Sequence, residues 1–190
     1  MTNILFSHRF FSKAMVLAGV LLLSACSSLP ESLKTDNTNL ITDYSQWQSN
    51  TAASNGEVRL GGVIAKVTNL ENQTRVEVVN LPINSTGRPD IDMEPKGRFV
   101  GYISGFADPV TLSEGRLITL LGQSAGREEN QVGDYSYDFP VMKVKGFHLW
   151  RIEETVVTND FDSHFYPCRT LYCQDLRFGT RRAKVIQEVR

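Results

Sequence analysis

The chain has 190 residues, 41% of them hydrophobic, with 20 basic and 21 acidic side chains and a net charge of −1. That length suits one domain and gives no reason for a second core. A charge balance this close to neutral excludes the basic surface that general nucleic-acid binding needs.

The N-terminus reads as an export signal. Arg9 and Lys13 precede a compact apolar run over residues 14–23, followed by small residues. A basic start, a short apolar run and a small-residue cleavage site are the parts of a secretory signal peptide. The run is too short to cross a bilayer, which takes about 20 apolar residues. Leu23-Ser24-Ala25-Cys26 then looks like a bacterial lipobox. The Leu fills an apolar subsite, the small residues leave room at the cut, and the thiol accepts a diacylglycerol. Residues 1–25 are therefore expected to leave, with Cys26 as the acylated first residue. The removed segment carries two basic residues and no acidic one, so the remaining 165 residues have a net charge of −3. Ser27 and Ser28 follow the Cys. In Gram-negative lipoproteins as a class, an Asp there favours retention at the inner membrane. Its absence implies the outer membrane.

Residues 26–55 are rich in Ser, Thr, Asn, Asp and Gln. Such sequence beside an acylated Cys is read as a tether, flexible in its first half. Leu40, Ile41, Tyr44 and Trp47 fall at helical spacings, so a short helix or turn packed on the body is expected. A membrane-facing Trp47 is the alternative.

From Glu57 the pattern becomes β. Val58, Leu60, Gly62 and Ile64 alternate with Arg59, Gly61, Val63 and Ala65. The Gly61-Gly62 pair suggests a bulge or sharp bend. A polar turn at residues 70–73 leads to a second strand over residues 74–81, and the two read as a hairpin. Residues 82–97 hold three prolines and are a long connection. Alternation resumes over residues 98–106, and Asp108-Pro109 marks a turn. Residues 115–122, GRLITLLG, are almost wholly apolar, as in a strand buried on both faces. Residues 124–138 are polar, outside the strand runs, with Gly126, Gly133, Tyr135 and Tyr137. The last strand covers residues 139–152. It sets Val141, Lys143, Lys145, Phe147 and Leu149 against Met142, Val144, Gly146, His148 and Trp150.

Five β runs without an intervening helical period predict an all-β fold. The expected form is a small closed or partly open barrel resembling an OB-type barrel, with a two-sheet sandwich as the alternative. The barrel domain is placed at residues 56–157 and an irregular tail at 158–190. The segment over residues 57–152 is expected to fold alone.

The lipobox LSACSSLP resembles the start of the Slp family, starvation-inducible outer-membrane lipoproteins of Gram-negative bacteria. So do VRLGGVIAKVTN, NLPINSTGRPDI, GRFVGYISGFADP, GRLITLLG and VKGFHLWR, in that order. The resemblance runs from about Leu23 to about Val157 and stops short of the tail. It implies an envelope lipoprotein linked to stationary phase or acid stress, and it implies no catalytic residues.

A search for convergent chemistry leaves little. His148 reads as a half-buried strand residue. Asp90, Asp92 and Glu94 could offer oxygen ligands to a hard cation, but lack the Gly turn and distal Glu of a calcium loop. No P-loop or nucleophile elbow is present. No catalytic residue, metal site or cofactor is expected. Cys168 and Cys173 remain after Cys26 is acylated, and an oxidising compartment favours a disulfide between them. Free or intermolecular thiols stay open, as does a metal site with His164 and Asp162 or Asp175. Arg177, Arg181, Arg182 and Lys184 form a basic cluster, either a solvated tail or a contact for anionic headgroups. The expected function is a non-enzymatic role in envelope maintenance, anchored to the outer membrane through Cys26, facing the periplasm, with an envelope protein as partner. The alternative is a small-ligand or glycan binder using a groove lined by Tyr102, Tyr135, Tyr137 and Trp150.

Overall fold

A computed structural model describes residues 28–49, 56–158 and 183–190. Five strands form the body: β1 (Glu57–Asn69), β2 (Gln73–Leu81), β3 (Gly97–Ser104), β4 (Leu117–Val132) and β5 (Tyr135–Trp150). They close in the order β1-β2-β3-β5-β4, and β4 pairs back onto β1. Only β3 and β5 run parallel in this ring; the other neighbours are antiparallel. The chain is thus the expected all-β barrel and not a sandwich. Two further strands, β6 (Ile152–Thr158) and β7 (Ala183–Val189), form a separate antiparallel pair. The tail expected to be irregular therefore contributes one strand.

Alternation fills the interior. Val58, Leu60 and Ile64 of β1 meet Val76 and Val78 of β2, Phe99 of β3, Ile118 and Leu120 of β4 and Met142 of β5. Two irregularities differ from the simple pattern. In β5, Gly122 faces Val144 and Leu121 faces Gly146, so Lys145 is extra. One inserted residue exchanges the faces of everything after it. Phe147 and Leu149 therefore point inward with Met142 and Val144, while Trp150 joins a cluster outside the barrel. In β1 the bulge falls between Ile64 and Lys66, not at the glycine pair. Gly61 and Gly62 serve close approach instead. A Cβ on Gly62 would stand 1.9 Å from the carbonyl oxygen of Val79 on β2.

The described residues before the barrel, 28–49, pack on it at Leu33, Tyr44 and Trp47, which corrects the reading of the first half of this segment as a spacer. A 3-10 turn (Glu31–Leu33) and helix α1 (Tyr44–Ser49) both rest on the barrel. Leu33 is 0% exposed and sits with Leu81, Leu117, Leu121 and Trp150 on the outside of β4 and β5. This cover explains why β4 reads as continuously apolar: Ile118 and Leu120 face in, Leu117 and Leu121 face out, and both faces are buried. Gly146 lets the cover approach, since a Cβ there would lie 2.1 Å from the carbonyl oxygen of Ser32. Ile41 completes the free edge of early β1, accepting from Arg59 N and donating to Glu57 O. Glu57 ties the layers together. Its carboxylate accepts from Lys145 Nζ at 2.8 Å and from Thr35 Oγ1 at 2.5 Å, and these bonds hold its pKa below the ordinary value.

Helix α1 plugs the barrel mouth. Trp47 is 1% exposed, meets Phe99 edge-on at 5.9 Å and donates from Nε1 to Ser124 Oγ at 3.0 Å. Tyr44 donates to the carbonyl of Arg98 at 2.9 Å. A segment of residues 57–152 lacks Leu33, Tyr44 and Trp47 and so lacks part of its own core. The segment expected to fold alone therefore leaves out side chains that the barrel clusters include.

Candidate functional site

Strands β4 and β5 run on past the barrel as a long hairpin, where the sequence suggested only polar connection. The two-residue loop Gly133-Asp134 joins them, with Gly133 at φ +60°, as hairpin loops with Gly first require. The pairing slips between Ser124 and Arg127, and Gly126 there has φ +90°. A bulge of this kind bends a strand. The arm accordingly folds over the outer face of β2 and β3.

Beneath the arm lies a second small core outside the barrel. Val100 of β3 packs with Phe139 and Val141 of β5, rimmed by Tyr102, Val132 and Tyr137. Charged residues complete it. Arg75 of β2, whose side chain is 9% exposed, pairs with Glu128 of the arm at 2.7 Å and stands over the Phe139 ring at 5.5 Å. Glu77 accepts from Arg98 at 2.7 Å and lies 3.6 Å from Arg75. Tyr102 donates to the second oxygen of Glu128 at 2.6 Å. Burial, then this bond to Glu128, raises the Tyr102 pKa. The phenol thus stays a hydrogen-bond donor. Arg127 pairs with Asp138 across the arm.

A shallow pocket of about 300 Å³ opens where the arm leaves the barrel, lined by Gln73, Tyr102, Ala125, Arg127, Glu128, Val141 and Lys143. Both oxygens of Glu128 are taken by Arg75 and Tyr102. The site can therefore offer hydrogen bonds and charge to a visitor, while its central carboxylate is held by structure.

The four aromatics expected to share a groove do not converge. Tyr102 and Tyr137 border the cluster under the arm, and Tyr137 accepts from Arg98 N at 3.1 Å. Tyr135 lies near the arm's tip, 72% exposed. Trp150 is buried on the other outer cluster, donating to Thr119 Oγ1 at 3.0 Å. The physical reason is distance along β5: Trp150 and Val141 both face outward, but they stand at opposite ends of the barrel part of the strand, roughly 30 Å apart, Trp150 under Leu33 and Val141 under the arm. His148 is half-buried, edge-on to Trp150 at 4.4 Å, and burial lowers its pKa. Asp90, Asp92 and Glu94 are exposed, and among the described residues no three His, Cys, Asp or Glu gather as metal ligands. Lys184 is exposed on β7. Cys26, Asp162, His164, Cys168, Cys173, Asp175, Arg177, Arg181 and Arg182 lie outside the described residues.

Sequence reasoning missed Arg75, Glu77, Arg98 and Glu128. The legible signal was Gly133-Asp134 between Val132 and Tyr135, a two-residue hairpin loop that makes residues 124–138 strand and not connection. Replacing Glu128 by Ala is expected to strand Arg75 and loosen the arm. The cost should be about 1–3 kcal/mol, since Glu128 is partly exposed. Limited proteolysis should then cut within residues 124–140 well before the barrel; uncut arms would show that the pair does not hold it.

Comparison with known proteins finds relatives among outer membrane lipoproteins. The outer membrane lipoprotein Slp family matches residues 23–178, further into the tail than the resemblance had suggested. A Haemophilus influenzae protein described as uncharacterized is 39% identical over 108 residues, 55% of this chain and 58% of that protein. The "Uncharacterized lipoprotein YeaY" of Escherichia coli K12 is 31% identical over 81% of this chain and 82% of its own. The "Outer membrane protein Slp" of the same strain is 30% identical over 76% and 78%.

Proposed function

The chain belongs to the outer membrane lipoprotein Slp family, and from that premise we propose that it is an acyl-anchored, periplasm-facing, non-enzymatic module that maintains the envelope in stationary phase or acid stress. It acts through an envelope protein partner and not through turnover. One observation carries this reading. The outer face of β2 and β3, which in OB-type barrels takes oligonucleotides and oligosaccharides, is occupied here by Phe139 and Glu128 of the chain's own arm. A surface already filled favours assembly over capture of a polymeric ligand. Deleting the gene should lower survival of acid and stationary-phase challenge and increase entry of detergents. Wild-type protein should restore both, and the Cys26→Ser form should restore neither. Equal survival of all three strains would sink the proposal.

A small-ligand or glycan binder is the second reading. The pocket beside Tyr102 and Lys143 favours it, because about 300 Å³ reaches the lower limit of small-molecule sites.

A further inference from the structure

We propose that the barrel is seated directly on the membrane, with the turn at residues 84–88 and the loop through Met93 as its lipid-facing surface. The proposal rests on acylation of Cys26. Only Ser27 and Ser28 separate that residue from Leu29. Three residue steps reach at most about 11 Å.

Leu29 is not spacer. It packs against the cluster of Leu33, Leu81, Leu117, Leu121 and Trp150. It also touches the turn: a Cβ at Gly87 would stand 3.0 Å from Leu29 Cδ1 and 3.2 Å from Leu33 Cδ1. The lipid on Cys26 lies in the bilayer, so this short leash holds the turn at headgroup level.

The turn cannot fold away. Asn84 Oδ1 accepts from Thr86 N at 2.9 Å and Arg88 N at 3.1 Å. Gly87 N donates to Asn84 O at 2.9 Å, and Thr119 Oγ1 of β4 donates to Gly87 O at 2.6 Å. Asn84 and Ser85 remain exposed at its tip. Farther along, Ile91 packs into the same cluster as Leu29, and Met93 is 51% exposed. An exposed Met two residues beyond a partly buried Ile suits the boundary between headgroups and acyl chains. Asp90, Asp92 and Glu94 share the loop. Attraction to anionic headgroups therefore does not draw this face down; the length of the leash does.

The arm supplies a control. From Leu121, opposite Gly146, the hairpin runs eleven residues to Val132 at its tip, roughly 36 Å of strand. Full-length lipidated protein carrying Cys168→Ser and Cys173→Ser would receive a fluorophore at Ser85→Cys or at Asp134→Cys. It would be reconstituted into phosphatidylethanolamine–phosphatidylglycerol vesicles containing a nitroxide-labelled lipid. Quenching at position 85 is expected to exceed that at 134 several-fold. A Gly/Ser spacer of about twenty residues between Ser28 and Leu29, with an r.m.s. reach of roughly 25 Å, should abolish the difference. Equal quenching at the two positions, or quenching at 85 unchanged by the spacer, in protein that floats with the vesicles overturns the seat alone. Protein that does not float overturns the acylation reading, and the seat with it.

Discussion

Cells producing Cys26→Ser are expected to release the protein from the membrane fraction, with no palmitate label on the chain. The sequence has three cysteines, and only Cys26 stands at a lipobox. Serine at that position offers no thiol for the diacylglycerol. The effect is all-or-none because acyl anchoring is cumulative. Each buried methylene contributes about 0.8 kcal/mol, and one chain alone binds only reversibly, whereas two or more hold a protein firmly. Among the described residues, no helix is long and apolar enough to cross a membrane and replace the anchor. The barrel itself should stay folded, since its core begins at Leu33 and lies wholly downstream of Cys26. Radiolabelled palmitate and fractionation of the same cells read the result. Label or membrane retention on the Ser form would remove the lipoprotein assignment of Cys26.

Trp47→Ala is expected to be the most damaging single truncation in the body. Large-to-small changes of a buried Trp cost about 3–5 kcal/mol, through lost transfer energy and the cavity left behind. The indole of Trp47 lies on Phe99 at the barrel mouth, where α1 is the plug. Its removal also leaves the Ser124 hydroxyl, buried beneath it, without its donor. A domain of this size has about 5–15 kcal/mol in all, so about a fifth or more would be lost. Trp47→Phe should cost less, about 1–3 kcal/mol, because the ring contact survives and only the hydrogen bond goes. Urea unfolding of the soluble Cys26→Ser form, followed by circular dichroism, measures both. A change below about 1 kcal/mol for the Ala form would mean that α1 is peripheral.

Much of this molecule was legible as a line of residues. The family is carried by short motifs that are read along the chain and need no fold. The alternation of Val76 and Val78 or Phe99 and Ile103 marks one face of a strand, and period-two burial is local. The doubly buried β4 was visible in LITLL, since a strand covered on both faces has no polar side to display. Tyr44 and Trp47 signalled a packed helix by spacing alone.

Sequence by itself thus determined the family, the fold class and the five barrel strands. The tertiary structure decided which surfaces are covered. Lys145 is one residue among alternating ones, yet as a bulge it turns Trp150 outward under Leu33, while Phe139 and Val141 lie far along the same strand under the arm, so the expected aromatic groove does not form. Polar residues 124–138 gain their role only when the bulge at Gly126 brings Glu128 onto Arg75, fifty-three positions earlier. Leu29 and Leu33 sit in sequence that resembles a spacer, and become cover only because Gly87 and Gly146 leave room beneath them. Each depends on contact between residues far apart in the chain. Local periodicity reports which side of its own element a residue faces; it carries no information about what arrives to bury that side.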